Sequence, residues 1–401
     1  MRVGDPFPLA GYQGLSPTQA IDWPALARKL VRDVLRLERD ERVIVSANPY
    51  YHAAMLDEVR QEVQRSGGIE LATILHWTPA LAALRGEDGG KPDPADAAAE
   101  EEAMARLFAL ADVFVWLAND WRSPRATHAV GQTERILAAW PGRSVHFHWF
   151  HDPRNPDPAD PVNLALDRVY ERAVLDLDYA ALRRTMRTLA ARLAGRRVRV
   201  TDPAGTDLSF RLTDRFHLND GDGSRAKVAD ARSARDREEE IPCGALRTIP
   251  ARDSAEGVLA FAGDFGFPAA GHGLDIGPFL AAGLRIEFAG GRAVRLLTGG
   301  DQRRLDDLWA AETGDKDRLG EMVLGCNPLL EPVRGSGFRP YYGFGAGVLR
   351  LTLGENEESG GDNRSSFHRW LMLTGATIEV EGGPVLVEDG RLLPLEPCPG
   401  A

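Results

Sequence analysis

Two hydrophobic rhythms divide the chain. From Asp22 to Gly195, apolar stripes at helical spacing alternate with short β-branched runs. Asp22 is placed to cap a helix reaching about Glu38, with Leu26, Leu30, Val34 and Leu37 on one face. The runs Arg42–Ala47, Ile69–Leu75, Asp112–Leu117 and Ser144–Trp149 predict strands. Helices are predicted between them. One spans about Ala53 to Arg65 and stops at Gly67-Gly68. Another starts near Ala98, after the Gly/Pro/Asp-rich loop Asp88–Ala97, and a third lies between the last two strands. A further helix runs from about Tyr179 to Ala194 and ends at Gly195. Strands separated by helices of this length imply a parallel sheet with helices on both faces.

After Gly195 the rhythm shortens. Strand-like runs at Val198–Asp202, Leu208–Leu212, Val258–Ala262, Leu284–Phe288, Ala293–Leu297, Val348–Leu353 and Ala376–Val380 are punctuated by Gly/Asp turns. Helices are few, chiefly Asp301–Thr313 and a short one at Gly277–Ala282. The fold class expected is an α/β domain with a parallel sheet over residues 1–185, followed by an α+β, strand-rich domain over 186–401. The mixed-charge run Asp230–Glu240 reads as a solvated loop.

Composition narrows the class. The 401 residues suffice for two domains with sizeable cores. Forty-eight basic against 59 acidic residues give a net charge of −11, which argues against nucleic acid or anionic membrane as partner. No stretch approaches the ~18 apolar residues of a membrane span, and the first residues lack the apolar core of a signal peptide. Cys243, Cys326 and Cys398 are an odd, widely spaced set, which fits a reducing cytoplasm and no disulfide framework.

The commonest nucleotide and hydrolase signatures are absent: no GxGxxG after a strand, no GxxxxGK[ST], no HExxH, no GxSxG. His146 and His148 fall on one face of a predicted strand. They could share a metal, and His148 is a candidate substrate contact because strand ends in open sheets hold ligands. The plain alternative is that they line a strand end. Chemistry concentrates instead between Gly320 and Trp370. Glu321 is a candidate ligand or general base, with a turn carboxylate as the plain alternative. Tyr341 and Tyr342, Arg350, Asn363 and a lone His368 after a Ser/Asn loop complete the set.

These words carry a resemblance. Asp202-Pro-Ala-Gly-Thr-Asp-Leu208, Ile241-Pro-Cys-Gly244, Glu321-x-x-x-Gly-x-Asn-Pro328, Leu353-Gly-Glu-Asn356 and Asn363-x-Ser-Ser-x-His368 are similar to the aminopeptidase T family of metallo-aminopeptidases. The 2,5-dihydroxypyridine dioxygenases share that scaffold. The likeness covers about 196–385; before that only the α/β order fits. It implies two divalent metals on carboxylates and histidines, a homodimer, and a small-molecule or peptide substrate. Yet a ligand Glu of the family is Ala245 here, a ligand His is Arg350, and the last Asp is Trp370. Only Glu321 and His368 remain as metal ligands. No cofactor is therefore expected, or at most one divalent metal (Zn, Mn or Fe) held weakly.

Arg350 cannot ligate a cation and would repel one. The reading that follows is an enzyme with altered, metal-poor chemistry on a small amino-acid- or peptide-derived carboxylate. Arg350, Tyr341, Asn363 and His148 would bind substrate, and Glu321, His368, Arg350 and Tyr342 would do the chemistry. Two alternatives stand beside it. One is a metal-dependent hydrolase or mononuclear iron dioxygenase recruiting Glu355, Glu357 or Asp362; the other is a non-catalytic binding protein or partner subunit.

Overall fold

The computed structural model describes residues 21–75, 93–117, 124–151, 157, 159–263, 271–336 and 343–395. Tyr341 and Tyr342 lie outside them. The chain forms two compact units. One takes the chain through Asp176 together with Gly221–Pro242; the other takes Leu177–Asp220 together with the chain from Cys243 onward.

The first unit is α/β. Its strands β1 (Arg42–Ala47), β2 (Ile69–Leu75), β3 (Val113–Leu117) and β4 (Arg143–Phe147) alternate with helices at Pro49–Arg65, Pro94–Phe108 and Pro124–Ala139. Asp93 caps the second of these helices by accepting from Ala95 N at 2.9 Å. Phe108, Phe114, Trp116, Ile136 and Trp140 pack between sheet and helices. After a helix at Pro161–Leu175 the chain enters the second unit, where it forms β5 (Arg197–Thr201) and β6 (Asp207–Leu218). It then returns to add β7 (Glu238–Ile241) beside β4. The sheet order is β2-β1-β3-β4-β7, all parallel.

The sequence boundary at 185/186 does not contain this return. The helix Tyr179–Leu193 belongs with the second unit, and 221–242 with the first. The solvated-loop reading of Asp230–Glu240 is corrected at its end: all four residues of β7 are buried. Burial is tolerable because the charges pair. Arg235 binds Glu238 and lies 3.3 Å from Glu240, while Lys227 binds Glu239 from the other face.

The second unit is strand-rich, as its rhythm predicts. It adds β8 (Ala245–Pro250), β9 (Glu256–Ala260), β10 (Gly271–His272), β11 (Arg285–Ala289), β12 (Arg292–Leu297), β13 (Leu319–Gly325), β14 (Leu349–Gly354), β15 (His368–Leu373), β16 (Thr377–Val380), β17 (Val385–Glu388) and β18 (Arg391–Leu392). The long path of this antiparallel sheet runs β10-β15-β14-β13-β8-β6-β5-β16-β17-β18. Strands β8, β13 and β14 are buried almost throughout, on both faces, so the alternation of buried and exposed positions disappears. That is why the rhythm alone does not show β8 and β13.

Candidate functional site

Register assembles the site. On the long sheet, His217 pairs Arg247, Arg247 pairs Val323, Val323 pairs Arg350, and Arg350 pairs Met372. Directly paired residues share a face, so Arg247 and Arg350 flank β13 from either side. A bulge between Leu319 and Met322 interrupts the β13–β14 ladder where Glu321 sits. There Glu321 N donates to Thr352 Oγ1 at 2.6 Å. Glu321 is neither a helix start nor a turn; it is a buried carboxylate in a central strand.

Two guanidiniums converge on it. Arg247 Nη1 donates to Glu321 Oε2 at 3.0 Å, and Arg350 Nη2 approaches the same oxygen at 3.4 Å. Ser359 Oγ donates to Oε1 at 2.7 Å. Arg247, Glu321 and Arg350 are 3 %, 4 % and 2 % exposed, so this is a desolvated ion triad. Phe344 lies 5.2 Å from the Arg247 guanidinium and 5.3 Å from that of Arg350; the Trp370 ring is 4.4 Å from the Arg350 guanidinium. These contacts are cation–π interactions that fix the planes of both forks.

His368 opens β15. Its Nδ1 lies 2.8 Å from the Glu355 carbonyl oxygen. A carbonyl only accepts, so Nδ1 carries the proton and Nε2 keeps its lone pair. Burial pushes the imidazole down to about 4. The Glu355 bond and Glu321 oppose the shift, while His272 and Arg350 add to it. His368 is therefore neutral near pH 7, with an unprotonated Nε2. The Glu355 carboxyl, 3.9 Å from Nδ1, is raised by burial and by its neighbours Glu357 and Glu358.

The other expected residues have different surroundings. Asn363 is buried and gives its amide hydrogens to Leu319 O and Gly354 O, while its own N–H binds Asn356 Oδ1. This arrangement cinches the Glu355–Asn363 loop and makes Asn363 a structural anchor. His148 belongs to the first unit. Its ring is 3.6 Å from that of His146, which stacks on Trp116, and its Nε2 lies 3.9 Å from Glu240. His146 Nδ1 lies 3.3 Å from Glu238. Burial would raise the Glu238 carboxyl, but Arg235 and His146 outweigh it and hold it low.

Sequence reasoning missed Arg247 and Ser359. Neither sits in a recognisable word; the faint signal for Arg247 was its place two residues after Ala245, on the same strand face. The Pro-x-Gly and Gly-x-Asn-Pro words prove to be packing devices. Asn327 Nδ2 donates to Cys243 O at 2.7 Å, and a Cβ on Gly244 (φ +133°) would lie 2.6 Å from the Asn327 Cβ.

The metal expectation can be tested on these contacts. Among the described residues, no group of three or more His, Cys, Asp or Glu could hold a metal ion. A cation at Glu321 would compete with two guanidiniums for one oxygen. Among the described residues, those around Glu321 do not fit a dinuclear centre.

No protein-family model matches the chain, and no curated protein does. Solved structures do. AmpT (aminopeptidase T) from Thermus thermophilus aligns with a TM-score of 0.63 at 19 % identity, over 92 % of this chain and 98 % of that one. A 2,5-dihydroxypyridine dioxygenase from Pseudomonas putida KT2440 aligns with a TM-score of 0.61 at 18 % identity, over 93 % and 97 %. The chain shares their scaffold. At this identity the likeness speaks for the fold. No helix among the described residues is long and apolar enough to cross a membrane.

Proposed function

We propose that the protein is an enzyme of altered, metal-poor chemistry on this scaffold, acting on a small amino-acid- or peptide-derived carboxylate. The observation that carries this reading is the triad itself. Where the resemblance expects metal ligands, two guanidiniums stand within 3.4 Å of Glu321 Oε2, beside an imidazole that is neutral at working pH. Guanidinium forks match carboxylates in plane, and their strength rises where water is excluded. A carboxylate paired with two guanidiniums is a poor proton acceptor, so Glu321 orients the forks. His368 Nε2 serves as general base, its tautomer set by the Glu355 carbonyl.

The test is an activity screen of the purified protein against small carboxylates and simple peptides, with and without chelator. Turnover of a carboxylate that survives chelation and is lost in His368→Gln is expected. Metal-dependent release of amino acids from peptides at ordinary enzymatic rates would overturn the reading. Tight carboxylate binding without turnover would move the assignment to a binding protein.

A further inference from the structure

The first unit holds chemistry that the proposed function does not use, just past the carboxyl end of β4. We infer that His151 is a second reactive centre, a carboxylate-backed nucleophile that takes an acyl group from a small neutral ester, with Asp167 and Trp149 as its positioning residues.

The geometry starts from a fully buried carboxylate. Asp167 lies on the helix Pro161–Leu175 and is 0 % exposed. Its Oδ1 accepts the Trp149 indole N–H at 2.7 Å and lies 2.8 Å from His151 Nε2. An oxygen that accepts from the indole accepts from the imidazole too. Nε2 therefore carries the proton and Nδ1 holds the lone pair. The His151 side chain is 18 % exposed, and its Nδ1 meets no partner among the described residues.

The surroundings fix this aim. The Trp149 ring packs 5.2 Å from Trp23, 5.7 Å from Phe147 and 5.4 Å from Tyr170. The indole thus holds the carboxylate and the carboxylate holds the imidazole, the orienter–base order of an activated side chain. The place is where open parallel sheets take ligands, outside the carboxyl ends of their strands. The chain leaving β1 brings His52 to the same edge, 5.9 Å from the Phe147 ring. Burial and the nearby His151 hold His52 at about 3, so it adds no positive charge there near pH 7.

Packing alone does not ask for a carboxylate at 167. An amide oxygen would accept the indole bond without burying a charge. The charge serves the imidazole, by stabilising the positive charge that grows as Nδ1 forms a bond. Among the described residues no Lys or Arg bonds to Asp167. A buried negative charge behind the ring disfavours phosphates and carboxylates and leaves a neutral carbonyl as the matching electrophile. Nδ1 attacks the ester carbonyl carbon, and the C–O bond breaks with its electron pair leaving on the alkoxide. Water then adds to the acyl carbon and the C–N bond breaks, its electrons returning to Nδ1. One water proton goes to the alkoxide, so ester and water become acid and alcohol.

The experiment treats the full chain with limiting diethyl pyrocarbonate, an acyl electrophile, and maps the labelled histidines by peptide mass spectrometry. His151 should react about tenfold faster than His272, although His272 is exposed. Asp167→Asn should slow His151 by about tenfold and leave His272 unchanged, because an amide can donate to Nε2 and shift the proton to Nδ1. Hydrolysis of p-nitrophenyl acetate should fall about tenfold or more in His151→Gln. A His151 no faster than His272, or ester turnover that survives His151→Gln, would overturn the inference. A His151 equally fast in Asp167→Asn would reduce the pair to a packing contact and overturn it too. If Asp167→Asn does not fold, nitrogen NMR of the wild-type ring decides. A bare Nδ1 with a protonated Nε2 is expected, and the opposite tautomer would refute the backing role of Asp167.

Discussion

His368 should make the protein sensitive to mild acid, by an amount the structure sets. The folded chain holds this imidazole at about 4, against an ordinary value near 6.5, chiefly through burial. A depressed histidine is protonated more readily when unfolded. Its contribution is therefore intact above about pH 6.5 and is lost as pH falls toward 4. The shift of about 2.5 units, at about 1.4 kcal/mol per unit, bounds the effect at roughly 3 kcal/mol. His52, depressed to about 3 by burial and by His151, contributes a second acid-sensitive group in the first unit. Comparison with His368→Gln separates them, because the variant keeps His52. In urea denaturation, the stability of wild type relative to the variant should fall by about 3 kcal/mol between pH 7 and pH 4. NMR titration of the ring should show Nδ1 protonated, Nε2 bare and a midpoint near 4. A midpoint near 6.5, or a wild type–variant difference that does not change with pH, would refute the argument.

Three further outcomes follow from the same contacts. Glu321→Gln leaves two guanidiniums without their buried carboxylate and should cost about 3–5 kcal/mol; a loss under about 1 kcal/mol in urea denaturation would show that the triad is not desolvated. Asn363→Ala strips the Leu319 and Gly354 carbonyls of a donor and should cost about 2 kcal/mol, with faster hydrogen exchange across the Glu355–Asn363 loop. Unchanged exchange there would remove Asn363 as the anchor. Elemental analysis of protein purified without chelator should give fewer than two metal ions per chain; about two Zn, Co or Mn per chain, with metal-dependent activity lost in Glu321→Gln, would sink the metal-poor reading.

Local pattern determined much of this protein. Alternating helix stripes and β-branched runs sufficed for the parallel sheet of the first unit, because β1 to β4 and their helices are each built from contiguous residues. That Ala245, Arg350 and Trp370 stand where the resemblance expects metal ligands was also legible, since identity at a position needs no structure. Tertiary structure decided the rest. Strand β7 was hidden because its glutamates look solvated until Arg235 and Lys227 are seen to pair with them. Asn363 reads from sequence as a substrate contact; only the structure shows its amide bonding the Leu319 and Gly354 carbonyls. The pairing of Arg247 with Glu321 could not be read from sequence. Arg247 is 74 residues from Glu321, and the two meet only through the pairing of β8 with β13. Period-2 alternation says which residues share a face of one strand, but the register between distant strands is set by the whole sheet and by the bulge at Glu321.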